Sequence, residues 1–233
     1  MENQKLTAVE PACKDCPVRQ KTAFKDLNAG DRDRVSALRE VKNIEAGKPV
    51  SFKEKNESGF FCVCSGHIQL GFVDKHKSGI LRICGPGDLV GFEMTEANLV
   101  AQALEDTQLC FIKRKPFAEI QRNSSDISNG IIQALVRVIA IKNDRIIGLE
   151  NHSVKNRIAT TLISLMKKFG IRSEWGTLID VKIDRKALAK LAGTVVESLA
   201  RVLTELENEN IIRRDGRKIH VVNKEKLVQF SIH

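Results

Sequence analysis

Between residues 127 and 149 the chain carries a seam that few folds can accommodate. Ser128, Ile132, Leu135, Ile139, Lys142, Ile146 and Leu149 alternate steps of four and three, an a/d pattern held for three heptads. Ile131, Val136, Val138 and Ile147 widen the apolar stripe onto adjacent faces. A helix so apolar has more surface to hide than the edge of one small domain can cover. A parallel dimer uses all of it, with one face on its own domain and the seam on a second copy; the alternative is an ordinary buried helix. Lys142 is the odd member. In a symmetric pair it faces its own copy and weakens the contact unless Asp144 or Glu150 compensates.

The segments on either side differ in period. Residues 47–112 carry short apolar runs (Phe60–Val63, Ile68–Phe72, Ile80–Ile83, Leu99–Leu104, Gln108–Ile112) separated by Ser65-Gly66, Lys77-Ser78-Gly79 and Gly85-Pro86-Gly87-Asp88. Such runs between Gly-bearing turns predict an antiparallel barrel or sandwich. Beyond the seam, Lys155–Phe169 has a helical period. Asp184 can cap a second helix over 185–191, and a third runs from about Val196 to Asn208 after a break at Gly193-Thr194. Residues 211–222 divide around Asp215-Gly216, a hairpin dipeptide. Two helices joined by a short turn, then a basic hairpin, form the layout of a winged helix-turn-helix.

Composition narrows the function. With 42% apolar and 29% charged residues among 233, the chain reads as globular, in two small domains. No apolar run approaches the roughly 20 residues a membrane helix needs, and no charged-then-apolar leader opens the chain. A cytoplasmic protein with no membrane partner is expected. The net charge of +9 is uneven: residues 1–150 hold 22 Lys and Arg against 20 Asp and Glu, whereas 151–233 hold 16 against 9. That concentration points to a polyanionic partner, because Lys and Arg near phosphates release condensed counterions. Six Cys in such a chain are not a disulfide scaffold; metal binding, redox chemistry and plain burial are the options.

The third C-terminal helix carries Glu197, Ser198 and Arg201 near its N-terminal half, the end that enters a major groove. Glu197 and Arg201 are four apart and share a face. Arg201 can donate two hydrogen bonds to a guanine and Glu197 can accept from a cytosine amino group. Ser198 suits a phosphate oxygen. Arg213, Arg214, Arg217 and Lys218 cluster on the hairpin and can reach the backbone without reading sequence. An i,i+4 surface salt bridge is the plainer account of Glu197 and Arg201, but their place on the second helix of this layout favours base reading.

The stretch Leu188-Ala189-Lys190-Leu191-Ala192-Gly193-Thr194-Val195-Val196-Glu197-Ser198-Leu199-Ala200-Arg201 resembles the helix-turn-helix signature of the CRP/FNR transcriptional regulators, in which the positions matching Glu197 and Arg201 make the principal base contacts. The family's Ser or Thr cap falls at Val195, so capping must come from Thr194 or be lost. Gly87-Asp88-Leu89-Val90-Gly91-Phe92 is similar to the family's effector-domain turn. Ala101-Gln102-Ala103-Leu104-Glu105, ahead of Cys110, is particularly close to the oxygen-sensing FNR branch. The resemblance runs from Cys13 to the wing. It implies an α+β fold: a cysteine loop over 1–24, an antiparallel, jelly-roll-like β-roll over 25–120, a dimerisation helix over 121–150 and a winged helix-turn-helix over 151–233. It also implies a homodimeric, activator-type regulator on a two-fold symmetric operator, with RNA polymerase as a further partner and no enzymatic activity.

The FNR branch holds a [4Fe–4S] cluster with three N-terminal cysteines and one in the β-roll. Cys13 and Cys16 match the first two and Cys110 the last, but the third N-terminal position is Thr22. A cubane normally needs four thiolates. Cys62 and Cys64, two apart on a strand and so on one face, are candidate replacements, and Asp15 is conceivable. Other readings stay open. Cys62, Cys64 and Cys84 lie in apolar sequence, where a free Cys is usually a small buried hydrophobe. Cys13 and Cys16 could form a thiol/disulfide pair or bind zinc. Haem would need His67 or His76. No cyclic nucleotide is expected, since Gly91–Asn98 offers no Arg and adds carboxylates. The rival from another class, a cupin-like metalloenzyme, lacks clustered His ligands between 47 and 112.

Overall fold

The computed structural model describes residues 13–54, 57–74, 77–92 and 99–231. Two 3₁₀ turns, Cys13–Asp15 and Arg19–Lys21, open the described chain. Helix α1 (Ala29–Ala37) follows, with Asn28 accepting from the Asp31 N–H at 2.9 Å. Eight strands come next: β1 (Arg39–Ile44), β2 (Lys53–Glu54), β3 (Glu57–Ser65), β4 (Ile68–Asp74), β5 (Lys77–Cys84), β6 (Leu89–Val90), β7 (Leu99–Ala103) and β8 (Thr107–Lys113). They form two antiparallel sheets, one ordered β1-β8-β3-β2 with β6 on β3, the other β5-β4-β7. Phe61, Val63, Ile68, Leu70, Leu109 and Phe111 fill the space between the sheets. This is the expected β-roll. The apolar runs mark its inner strands, whereas β1 carries half-exposed charges and no such run.

Helix α2 (Arg114–Arg122) leads into α3 (Ser125–Asn151), 27 residues long. Ser124 starts α3 twice over: its Oγ accepts from the Ile127 N–H at 3.2 Å and donates to Asp31 at 2.5 Å. Ile127 and Ile131 are buried with Phe24, Leu27 and Phe117 in a cluster that joins the N-terminal segment to α3. Gly130 is needed there, since a Cβ would overlap the Ala23 carbonyl. The opposite side of α3 is bare. Ile132, Val136, Ile139, Ile146, Ile147 and Leu149 are each about half exposed. Leu135, expected on the seam, is half-buried and packs on the β-roll side. Lys142 is exposed.

The remainder builds a second domain from α4 (Val154–Phe169), β9 (Gly170–Ser173), β10 (Gly176–Ile179), α5 (Arg185–Leu191), α6 (Val196–Asn208), β11 (Ile212–Asp215), β12 (Lys218–Val221) and α7 (Lys224–Phe230). Its sheet runs β11-β12-β10-β9. Ile158, Leu162, Leu188, Leu199, Val202 and Leu206 form a core that extends onto Ile80 and Ile83 of β5. Arg145 of α3 fastens this junction, with its guanidinium on the carbonyls of Ile80, Leu81 and Lys190. No helix among the described residues is long and apolar enough to cross a membrane.

Candidate nucleic-acid interface and thiol pocket

Helix α6 is amphipathic in the way a reading helix must be. Leu199, Val202, Leu203 and Leu206 are buried, leaving Glu197, Ala200, Arg201 and Thr204 on the open face. No described residue pairs with Glu197 or Arg201, so the i,i+4 salt bridge is not formed and both groups are free. Ser198 is half-buried beside them.

The turn before α6 is held from below. Asp184 caps α5 by accepting from the Ala187 N–H at 2.7 Å. Gly193 takes φ of +63°, which its lack of a Cβ permits, and the Thr194 N–H donates to Ala189 O at 2.9 Å. Val195 at the N-cap makes no side-chain hydrogen bond, so the capping group is lost rather than supplied by Thr194. Arg157 of α4 takes over the work of fixing the turn. It donates to Ala192 O at 3.2 Å, Gly193 O at 3.0 Å and, at the end of α3, His152 O at 2.8 Å. One guanidinium thus ties the helix-turn-helix to the hinge between α3 and α4, a role that no sequence motif announces.

One basic residue of the wing is engaged within the fold. Arg214 grips Glu207 of α6 through its backbone N–H and Nε at 2.8 Å each and through Nη2 at 2.5 Å. The same contacts hold the Glu207 carboxyl below the usual carboxylate range. Arg213 lies 3.8 Å from the Trp175 ring centroid. Arg217 and Lys218 extend freely at the hairpin tip, where Gly216 takes φ of +57°.

At the other end of the molecule, Cys13, Cys16, Cys62, Cys64 and Cys110 border one cavity of about 40 Å³, walled by Phe24, Leu27, Val35 and Ile112. The sheet brings them there. Cys62 stands opposite Cys110 in the β3–β8 register, and a bulge between Val63 and Ser65 turns Cys64 toward the same strand. The Cys64 and Cys110 sulfurs are 3.1 Å apart. Contact with the Cys110 and Cys16 sulfurs pushes the Cys64 thiol up from its ordinary value. Its hydrogen bond lowers Cys16 to about 6 and Cys110 to about 7, with Arg39 assisting both. Burial raises Cys13 and raises Cys62 much further. Arg39 also directs an N–H at the Cys110 sulfur from 3.7 Å.

Thr22 cannot serve as a missing ligand, because its hydroxyl donates to Arg19 O at 2.8 Å and accepts from the Phe24 N–H at 3.1 Å. Cys84 is buried between the sheets, away from the cavity. His67 has Nδ1 on Glu105 at 2.5 Å and its ring edge-on to Phe169; His76 lies outside the described residues. Among the described residues, no three His, Cys, Asp or Glu side chains form a ready-made metal site. Five sulfurs nonetheless border the cavity, with apolar walls and an N–H aimed at one of them, which is chemistry compatible with thiolate ligation.

Comparison with known proteins identifies the class. A Crp-like helix-turn-helix domain matches residues 156–230, and a cyclic nucleotide-binding domain matches residues 41–124. The transcriptional activator protein Anr of Pseudomonas protegens is 27% identical over 95% of this chain and 93% of its own length. The fumarate and nitrate reduction regulatory protein of Escherichia coli is 26% identical over 95% of this chain and 90% of its own. Among solved structures, FixK2 from Bradyrhizobium japonicum shares the fold with a TM-score of 0.75 at 18% identity, covering 84% of this chain and 98% of that one. Together these define a DNA-binding transcriptional regulator rather than an enzyme. The chain belongs to the CRP/FNR family, near its FNR branch.

Proposed function

We propose that this regulator reads a two-fold symmetric operator as a homodimer and adjusts its grip to the redox state of the thiol pocket. The observation that carries the DNA reading is the unpaired Glu197–Arg201 face of α6, set above a turn locked by Arg157. Arg201 reads guanine and Glu197 cytosine, while Arg213, Arg217 and Lys218 contact phosphates. The bare side of α3 supports the dimer, which places two reading helices on successive major-groove turns and RNA polymerase within reach of a promoter-bound pair. Enrichment from a random oligonucleotide pool tests this. An inverted repeat is expected; a motif without symmetry would contradict it.

For the signal, Cys13, Cys16, Cys64 and Cys110 are the residues that would hold a [4Fe–4S] cluster, with Cys64 in place of the cysteine absent at Thr22. Such a cluster supplies a redox-active iron centre whose potential responds to hydrogen bonds at its sulfurs and to solvent exposure. The chain contributes the Arg39 N–H and the apolar walls. The N-terminal segment touches α3 through Ala23, Phe24 and Leu27, so its position biases the dimer helix. No cyclic nucleotide enters the proposal; the carboxylate-rich stretch that argues against one falls mostly on residues 93–98, outside the described residues. Iron and sulfide analysis of anaerobically purified protein tests the ligand set. Cys64→Ser should lose both elements and Cys62→Ser retain them; retention in Cys64→Ser would remove Cys64 from the set.

A further inference from the structure

We infer that Cys64 and Cys110 are a disulfide-forming pair, so that an oxidant converts the thiol pocket into a covalent β3–β8 cross-link. The inference rests on the redox reading of the pocket only for its regulatory consequence; the bond itself follows from where the two sulfurs lie.

Three observations select this pair among the six cysteines. The sulfurs are already 3.1 Å apart, so a bond of about 2.0 Å requires closing by about one ångström. The β-bulge at Cys64 makes the approach. Cys62 is Cys110's register partner and the more obvious choice, yet it is Cys64 whose thiol meets the Cys110 sulfur. Access also differs: Cys64 is half-exposed, whereas Cys62 and Cys110 are buried. The pair is therefore reached from solvent through Cys64.

With hydrogen peroxide as oxidant the chemistry balances. One sulfur of the pair attacks a peroxide oxygen, the O–O bond breaks, and a sulfenic acid forms as the first hydroxide leaves. The other sulfur then attacks the sulfenic sulfur, the S–O bond breaks, and the second hydroxide leaves. The two thiol protons convert both hydroxides to water. Each sulfur gives up one electron of the two that reduce the peroxide. The product removes two of the four sulfurs proposed as ligands, so the pocket stays disabled until a reductant reopens it.

The test uses the full-length protein, freed of iron by chelation, reduced, desalted, exposed to hydrogen peroxide and then alkylated. Alkylatable thiols should fall from six to four, and fragmentation of the digest should join Cys64 to Cys110. The bridge should survive in Cys62→Ser and Cys84→Ser and vanish in Cys64→Ser. Six alkylated thiols after peroxide, or a bridge from Cys110 to Cys62 or from Cys64 to Cys16, would overturn the inference. The wild-type digest reports the bond without depending on any variant's folding. Because it is read on iron-free protein, it can fail while the ligand proposal stands, and the reverse.

Discussion

Replacing Ile139 by Ala probes the bare side of α3. Ile139 is 55% exposed in the single chain, the largest value among the big apolar side chains of that helix. Complete burial of such a side chain stabilises by roughly 1.5–3 kcal/mol, so about half of that is still to be gained on pairing. Ala keeps the Cβ, leaving a loss of about 1 kcal/mol per chain and, by symmetry, about 2 kcal/mol per dimer. At 1.4 kcal/mol per decade, this weakens dimerisation by about 30-fold. Sedimentation equilibrium over a concentration series measures it. The thermal melt of the monomer should barely move, because the side chain packs on little in its own chain. An unchanged dimer dissociation constant would refute the reasoning, and would mean that the exposed stripe is not the subunit contact. Lys142→Ala should act oppositely and tighten the dimer, since it removes a like charge from a two-fold axis.

Other outcomes follow from individual contacts. Arg217→Ala should weaken DNA binding evenly across sequences and reduce the slope of affinity against salt by about one per subunit, about two for the dimer, read from binding isotherms at several ionic strengths. Arg214→Ala should leave that slope nearly intact and lower the melting temperature, because its partner is Glu207 rather than phosphate. Gly130→Ala should displace the N-terminal segment from α3, seen as faster amide exchange between Ala23 and Leu27.

Much of this molecule was legible in its sequence. Helices α5 and α6 fall where Asp184, Gly193-Thr194 and the apolar spacing put them, and the inner strands follow the runs between glycines. What the sequence hid was mostly tertiary. Strand β1 and helix α1 carry mixed charges with no clean period, and the short β9–β10 hairpin turns at Glu174-Trp175 without a run of apolar residues to announce it. Leu135 satisfies the heptad arithmetic yet faces its own domain, because a stripe this wide leaves the sequence unable to say which edge turns inward. Arg214 resembles its basic neighbours until Glu207, seven residues away on another element, claims it. The pairing of Cys64 with Cys110 depends on one extra residue in a strand, which periodicity cannot detect.

The central claim is that Arg201 reads a base rather than merely adding charge. Arg201→Ala and Arg201→Lys should be titrated against the selected operator and against the same operator with its guanine contact changed, at fixed salt. Wild type should discriminate between the two sites, and Arg201→Ala should lose about 1–3 kcal/mol of that discrimination while keeping most of its non-specific affinity. Arg201→Lys should recover the charge without the bidentate fork and so restore affinity more than selectivity. If Arg201→Ala discriminates between the two sites as sharply as wild type does, the proposed reading face is wrong.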